Sequence, residues 1–315
     1  MVIGTAPELL ARARAGDTRS IARLLTIVEN DEPGAADVLR ETYPRTGRAQ
    51  IIGITGPPGG GKSTLVALLV GAYRERVGRV GVVAVDPSSP FTGGAILGDR
   101  IRMRERFLDE GVYIRSMASR GHAGGVARST ARVVGVLDAL GTDVVLVETV
   151  GVGQEEVDVV RVADTVCLVT VPGLGDDIQA IKAGVLEIAD VLVVNKADRP
   201  GADETARDLA QMLTLGAPRR GWKPPIVRTS AAKGEGIDDL MAAVERHRAW
   251  AEESGERERR REESARFEVE ALLREALVRR LAERVGRERL DEAVALVAAR
   301  VLDPYAAVDE LLRES

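Results

Sequence analysis

Gly56-Pro57-Pro58-Gly59-Gly60-Gly61-Lys62-Ser63 fits the pattern GxxxxGK[ST], and its setting decides the fold. The apolar run Ile51-Ile52-Gly53-Ile54-Thr55 precedes it, and Leu65-Val66-Ala67-Leu68-Leu69-Val70, which reads as a helix, follows it. In a strand–loop–helix of this kind the glycines permit a tight turn that brings several backbone N–H groups onto one anion. Lys62 would add positive charge beside the β and γ phosphates of a nucleotide, and the Ser63 hydroxyl would offer an oxygen to Mg²⁺. The helix that starts here aims its N-terminal dipole the same way. Gly56, Gly59, Gly60, Gly61, Lys62, Ser63 and Thr64 are therefore the expected phosphate contacts. A glycine-rich turn that merely ended a strand would not need Lys and Ser at these two offsets.

Outward from this loop, β-branched runs alternate with longer helical patterns. Strands are expected at 51–55, 80–85, 112–115, 143–149, 165–171, 191–195 and 225–229. Several are apolar at nearly every position, as strands covered on both faces should be. The alternation predicts an α/β fold of the P-loop NTPase type, a mostly parallel sheet flanked by helices. Helical extensions are expected at both ends, so the chain divides into 1–47, a nucleotide domain at 48–250, and a charged C-terminal arm at 251–315. The N-terminal part reads as helical from Pro7 to about Arg40, broken by Asp31-Glu32-Pro33-Gly34. After a run of mixed charge at 252–263, Val269, Leu273, Leu277, Leu281 and Val285 recur every four residues. Such a helix either packs on its own domain or buries its stripe against a second subunit, and periodicity leaves both open.

The 315 residues carry a formal charge of −5, which argues against a nucleic-acid binder built on a broad basic surface. The single Cys167 lies in the apolar run 165–171, so a core thiol is expected and no internal disulfide can form. No stretch approaches the ~20 apolar residues of a membrane span, and no secretion signal opens the chain. The expectation is a soluble cytoplasmic protein. Of the two histidines, His122 reads as a polar loop residue and His247 as a residue on a helix surface.

Two further patterns point to guanine. Asn195-Lys196-Ala197-Asp198 places NKxD after the buried run 191–194, at the edge where open α/β sheets gather their ligands. A carboxylate at Asp198 can accept the N1–H and exocyclic amine of guanine, a pair of donors that adenine lacks. Asn195 would fix the loop, and the stem of Lys196 would cover the base. Thr229-Ser230-Ala231-Ala232-Lys233, again just after a strand, resembles the SAK-type loop whose backbone N–H meets guanine O6 in GTPases, which makes Ser230, Ala231 and Ala232 candidate nucleotide contacts. GTP, and GDP after hydrolysis, are the nucleotides expected.

Carboxylates complete the site. Asp86 ends one strand, Asp99 lies in the glycine-rich stretch 92–100, and Glu148 ends the strand Val144-Val145-Leu146-Val147-Glu148. With Ser63 they form the expected Mg²⁺ set, because hard oxygens suit that ion and no His/Cys cluster competes for a softer metal. Gly151, in the ExxG of Glu148-Thr149-Val150-Gly151, can give its N–H to the γ-phosphate. Residues 148–154 form the candidate nucleotide-sensing switch.

Val85-Asp86-Pro87-Ser88-Ser89, the stretch Thr92-Gly93-Gly94 through Met103, and Glu148-Thr149-Val150-Gly151-Val152-Gly153-Gln154 together resemble the MeaB/ArgK family. The resemblance runs from about Ile51 to Ser230. It implies a P-loop GTPase that acts as a chaperone of adenosylcobalamin-dependent methylmalonyl-CoA mutase, or of a related acyl-CoA mutase. It further implies a homodimer joined largely through C-terminal segments, GTP-dependent gating of cobalamin delivery, and slow hydrolysis stimulated by the mutase. Carried onto matching positions, it makes Lys62 and Ser63 phosphate and Mg²⁺ residues, Asp86, Asp99 and Glu148 metal-site carboxylates, and Asn195 and Asp198 the base-reading pair. Gly173 to Lys182 resembles a further mobile loop in which Asp176, Gln179 and Lys182 are the positions to test. The phosphate loop departs slightly from the family pattern in having glycine at both Gly59 and Gly60.

No glutamine directly follows Gly151, so the water-positioning residue of Ras-like enzymes is missing from its expected place. A slow GTPase completed by a partner follows, with Lys62, Gln154, Lys182, Asp99 and Glu148 as catalytic candidates. The rivals are an ArgK-like kinase linked to amino-acid transport, a GTPase serving a different cobalamin or metalloenzyme client, and an interaction switch whose hydrolysis is incidental.

Overall fold

A computed structural model describes residues 5–87, 109–119, 125–149, 161–173, 188–215 and 221–313. Within them β1 (Gln50–Thr55), β2 (Val80–Pro87), β3 (Val112–Ser119), β4 (Val144–Thr149), β5 (Thr165–Thr170), β6 (Val191–Val194) and β7 (Ile226–Arg228) form one sheet. All pairings are parallel, in the order β3-β2-β4-β1-β5-β6-β7, and the strands fall on the seven apolar runs. Strand side chains alternate between faces, which explains why the runs are apolar throughout. Val145 and Val147 enter one core with Val83 and Val85, whereas Val144 and Leu146 enter the other with Val80 and Val82. Cys167 is buried in the second core, as expected.

Helices fill both faces. On one side α1 (Ala6–Arg14), α2 (Thr18–Glu29) and α3 (Ala35–Thr42) pack with α5 (Gly125–Ala139). On the other, α4 (Lys62–Arg74) packs with α7 (Ile237–Glu253). Back on the first face, α6 (Ala202–Leu215) covers Leu168, Leu192 and Val194. The N-terminal pattern is interrupted twice rather than once. Gly16 takes φ +92°, and Asp17 accepts hydrogen bonds from the N–H groups of Arg19 (3.3 Å) and Ser20 (3.2 Å), which caps α2 as a new helix.

His247 corrects the expectation of a surface position. It is fully buried on the α7 stripe of Leu240, Met241, Val244 and Ala251 that faces the sheet. Its Nδ1 lies 2.9 Å from Thr165 Oγ1 and its Nε2 3.3 Å from an Asp190 oxygen. The rings of Trp222 and Trp250 lie 5.1 and 5.6 Å away. A histidine at an apolar position is tolerated here because its polar atoms meet polar neighbours.

The chain divides into two compact units, residues 1–260 and 261–315. The first holds the sheet together with the three N-terminal helices. The second holds most of α8 (Glu256–Val285), with α9 (Arg287–Ala298) and α10 (Pro304–Arg313) packed on each other. Among the described residues no helix is long and apolar enough to cross a membrane.

Candidate nucleotide site

β1 lies centrally in the sheet and delivers the phosphate loop to its carboxyl edge, where open α/β sheets bind ligands. Two glycines there leave no room for a side chain. A Cβ on Gly56 (φ +136°) would stand 2.0 Å from the Val169 carbonyl oxygen, and one on Gly61 (φ +83°) 2.4 Å from Asn195 Nδ2. Lys62 is buried and its Nζ donates to the carbonyls of Gly56 (2.7 Å) and Pro57 (2.9 Å), so the loop itself holds the cation at the start of α4. Thr64 lies half-buried in the first turn of the same helix.

Ser63 Oγ donates to Glu148 Oε1 at 2.6 Å, and both residues are buried. The register puts Glu148 between Ile54 of β1 and Ala84 of β2, so three strands bring the carboxylate to the phosphate loop. Asp86 lies along β2 toward the same edge. A buried carboxylate touching a hydroxyl is a hard-oxygen pair that suits Mg²⁺, an ion that keeps several waters and takes further oxygens from phosphate. Among the described residues no group of three or more His, Cys, Asp or Glu offers a rival cage.

The NKxD loop and the loop after β7 meet the phosphate loop through Asn195. Its Nδ2 donates to the Gly60 carbonyl (2.8 Å), and its Oδ1 accepts from Thr229 Oγ1 and the Ala231 N–H, both at 3.1 Å. Lys196, held at φ +56°, donates from Nζ to the Gly59 carbonyl at 2.7 Å, so its stem crosses from the base loop to the phosphate loop. Asp198 stays exposed, and the Ser230 hydroxyl donates to its Oδ1 at 2.7 Å, which holds the carboxyl below its ordinary pKa range. An ionised acceptor is what the two guanine donors require. Ala231 is buried with its N–H given to Asn195, and Ala232 is exposed beside it.

Sequence reasoning passed over some of the bracing. Thr229 was legible only as the first residue of its loop, and Thr149 Oγ1 donates to Thr55 Oγ1 at 2.9 Å beneath the phosphate loop. Gly236 (φ +77°) closes the 229–236 loop where a Cβ would approach the Arg228 carbonyl to 2.1 Å. A glycine two residues after Gly234 was the available signal. Asp99, His122, Gly151, Gln154, Asp176, Gln179 and Lys182 lie outside the described residues.

Comparison with known proteins agrees with this geometry. Residues 21–285 match the family described as methylmalonyl Co-A mutase-associated GTPase MeaB. A putative GTPase of Pyrococcus abyssi is 49% identical over 310 residues, covering 98% of this chain and 96% of its own length. The mitochondrial methylmalonic aciduria type A homolog of Caenorhabditis elegans is 34% identical, covering 81% of this chain and 69% of its own. The crystal structure of an LAO/AO transport system kinase aligns with a TM-score of 0.72 at 26% identity, covering 99% of both chains. With the NKxD and phosphate loops joined at one sheet edge, the chain belongs to the MeaB family and is a nucleotide-binding GTP hydrolase.

Proposed function

We propose that the chain is a Mg²⁺-dependent, intrinsically slow GTPase that gates adenosylcobalamin delivery to methylmalonyl-CoA mutase and protects that enzyme. The observation that carries the reading is Asn195, which bonds the phosphate loop at Gly60 and the base loop at Ala231. Base recognition and phosphate position are thereby one mechanical unit, as a nucleotide-controlled switch needs. The family description names the mutase, and the nematode relative's name refers to methylmalonic aciduria, which favours this client.

In this reading Lys62 leaves its loop carbonyls to meet the β and γ phosphates, and the loop N–H groups take charge from the γ-phosphate oxygens. Ser63 and Glu148 hold Mg²⁺, which when bound neutralises developing phosphate charge. Asp198 reads guanine. Asp86, Asp99, Gly151, Gln154 and Lys182 are proposed to complete the metal and water positions.

Exposed apolar side chains in the 261–315 unit support a homodimer formed through that arm. Val269, Leu273 and Leu277 recur at one face of α8, and all are more than half exposed in the single chain. The test is GTP turnover by the purified chain, alone and with the mutase of its own organism. A clear stimulation is expected. Fast turnover alone, or no response to the mutase, would defeat the gating reading and leave a GTPase with another client.

A further inference from the structure

A cavity of about 810 Å³ opens at the amino-terminal edge of the sheet, the end opposite the phosphate loop. It is formed where β1 and β4 begin, where α4 ends, and along one stripe of α7. Its size falls within the roughly 300–1,000 Å³ of metabolite pockets. Among the polar side chains of its lining that are more than nine-tenths buried, two have an unpartnered atom. Gln50, the first residue of β1, and Tyr73, on the last turn of α4, are 5% and 4% exposed. Neither Gln50 Nε2 nor Tyr73 Oη has a hydrogen-bond partner among the described residues. Buried donors are normally satisfied, because leaving one bare is costly. Burial is the main cause that raises the Tyr73 pKa, so its hydroxyl stays protonated and able to donate.

The charges around these donors are unevenly committed. The acids are engaged by the protein. Asp138 accepts the N–H groups of residues 47–49, and Asp143 Oδ2 accepts that of Arg79 at 2.7 Å. Glu245 and Glu252 face Arg248, and Glu252 also pairs with Arg257 at 3.0 Å. Arg45 and Arg48, by contrast, line the cavity and form no ion pair among the described residues. Guanidinium groups with free forks beside two bare buried donors suit an oxygen-rich anion.

We propose that this basin is a second ligand site, which takes the phosphate or carboxylate group of a small metabolite between Arg45, Arg48, Gln50 and Tyr73. The site is separate from the nucleotide and does not depend on which client the GTPase serves.

Calorimetric titration of the full chain, saturated with GDP so that the phosphate loop is filled and dialysed free of unbound Mg²⁺ so that neither probe is chelated, tests it with two probes. Pyrophosphate represents the phosphorylated ligand and citrate the carboxylate. Saturable binding of at least one is expected, and the better probe identifies the anion class. Arg45→Ala combined with Arg48→Ala should weaken it roughly ten- to a hundredfold with GDP affinity unchanged. Tyr73→Phe, which keeps the ring in place, should weaken it as well. Both arginines are exposed, so the double variant folds whether or not the site exists. Failure of both anions to saturate overturns the proposal, and so does equal binding by the double variant.

Discussion

A Cβ on Gly61 would stand 2.4 Å from Asn195 Nδ2, so the last glycine of the phosphate loop is shaped by the first residue of the NKxD motif. The same Nδ2 donates to the neighbouring Gly60 carbonyl. The two loops therefore move together or not at all. Gly61→Ala combines a collision with a left-handed backbone, φ +83°. Asn195→Ala instead strips buried partners on both loops, each bare group costing ~1–3 kcal/mol. Both variants should lower GDP affinity by at least about tenfold, measured by titration with a fluorescent GDP analogue. Undiminished affinity in Asn195→Ala would show that the loops are positioned independently.

Asp198 accepts from Ser230 on one oxygen and is exposed on its other side. A carboxylate pairs with the N1–H and amine of guanine, whereas an amide offers one acceptor and one donor. Asp198→Asn should therefore reduce GTP affinity by about a hundredfold or more and favour xanthosine triphosphate, which carries a carbonyl where guanine has its amine. Competition between the two nucleotides reads this out. Retained GTP preference would remove Asp198 from base recognition.

Asp190 sits just before β6, where Arg260 reaches its two oxygens at 2.7 and 2.8 Å and His247 lies at 3.3 Å. Burial by itself raises its pKa, but the hydrogen bonds and charges of Arg260 and His247 outweigh it and lower the value to about 2. A folded-state pKa below the unfolded one stabilises the fold above pH ~4, and that contribution is lost as the pH falls toward 2. Thermal melts of the whole chain should show this loss across that window, and Asp190→Asn should flatten it. Arg260→Met at neutral pH leaves a buried carboxylate without its main partner, which should cost ~3–5 kcal/mol. Equal melting of Arg260→Met and the parent chain would reduce the pair to a passive contact.

The strands and both recognition loops were legible because their signals are local. Val144 to Glu148 reads as a buried strand with an acid at its end whatever surrounds it, and the register then carries Glu148 to Ser63. Non-local satisfaction was illegible. Nothing near His247 in sequence announces that Thr165 and Asp190 will meet its two nitrogens, so a polar residue on an apolar stripe read as surface. The α1–α2 break, by contrast, was legible and passed over. No large apolar residue lies between Leu10 and Ile21, and Gly16-Asp17 offers a helix stop followed by an N-cap, which the left-handed Gly16 and the Asp17 cap realise. The roles expected of Asp99, Gly151, Gln154 and Lys182 rest on motif and resemblance, since these residues lie outside the described structure.

The apolar stripe of α8 gives the last test. Val269, Leu273 and Leu277 stand one helical turn apart and are 63%, 56% and 55% exposed in the single chain. Fully burying one such side chain contributes ~1.5–3 kcal/mol, so a self-complementary pairing of two stripes would gain from six such residues. Sedimentation equilibrium should find a dimer. Leu273→Asp with Leu277→Asp should convert it to a monomer while GDP affinity stays at the parent value, because neither residue belongs to the nucleotide unit. A parent chain that sediments as a monomer, or a double variant that remains dimeric, would mean that this stripe is not what joins the subunits.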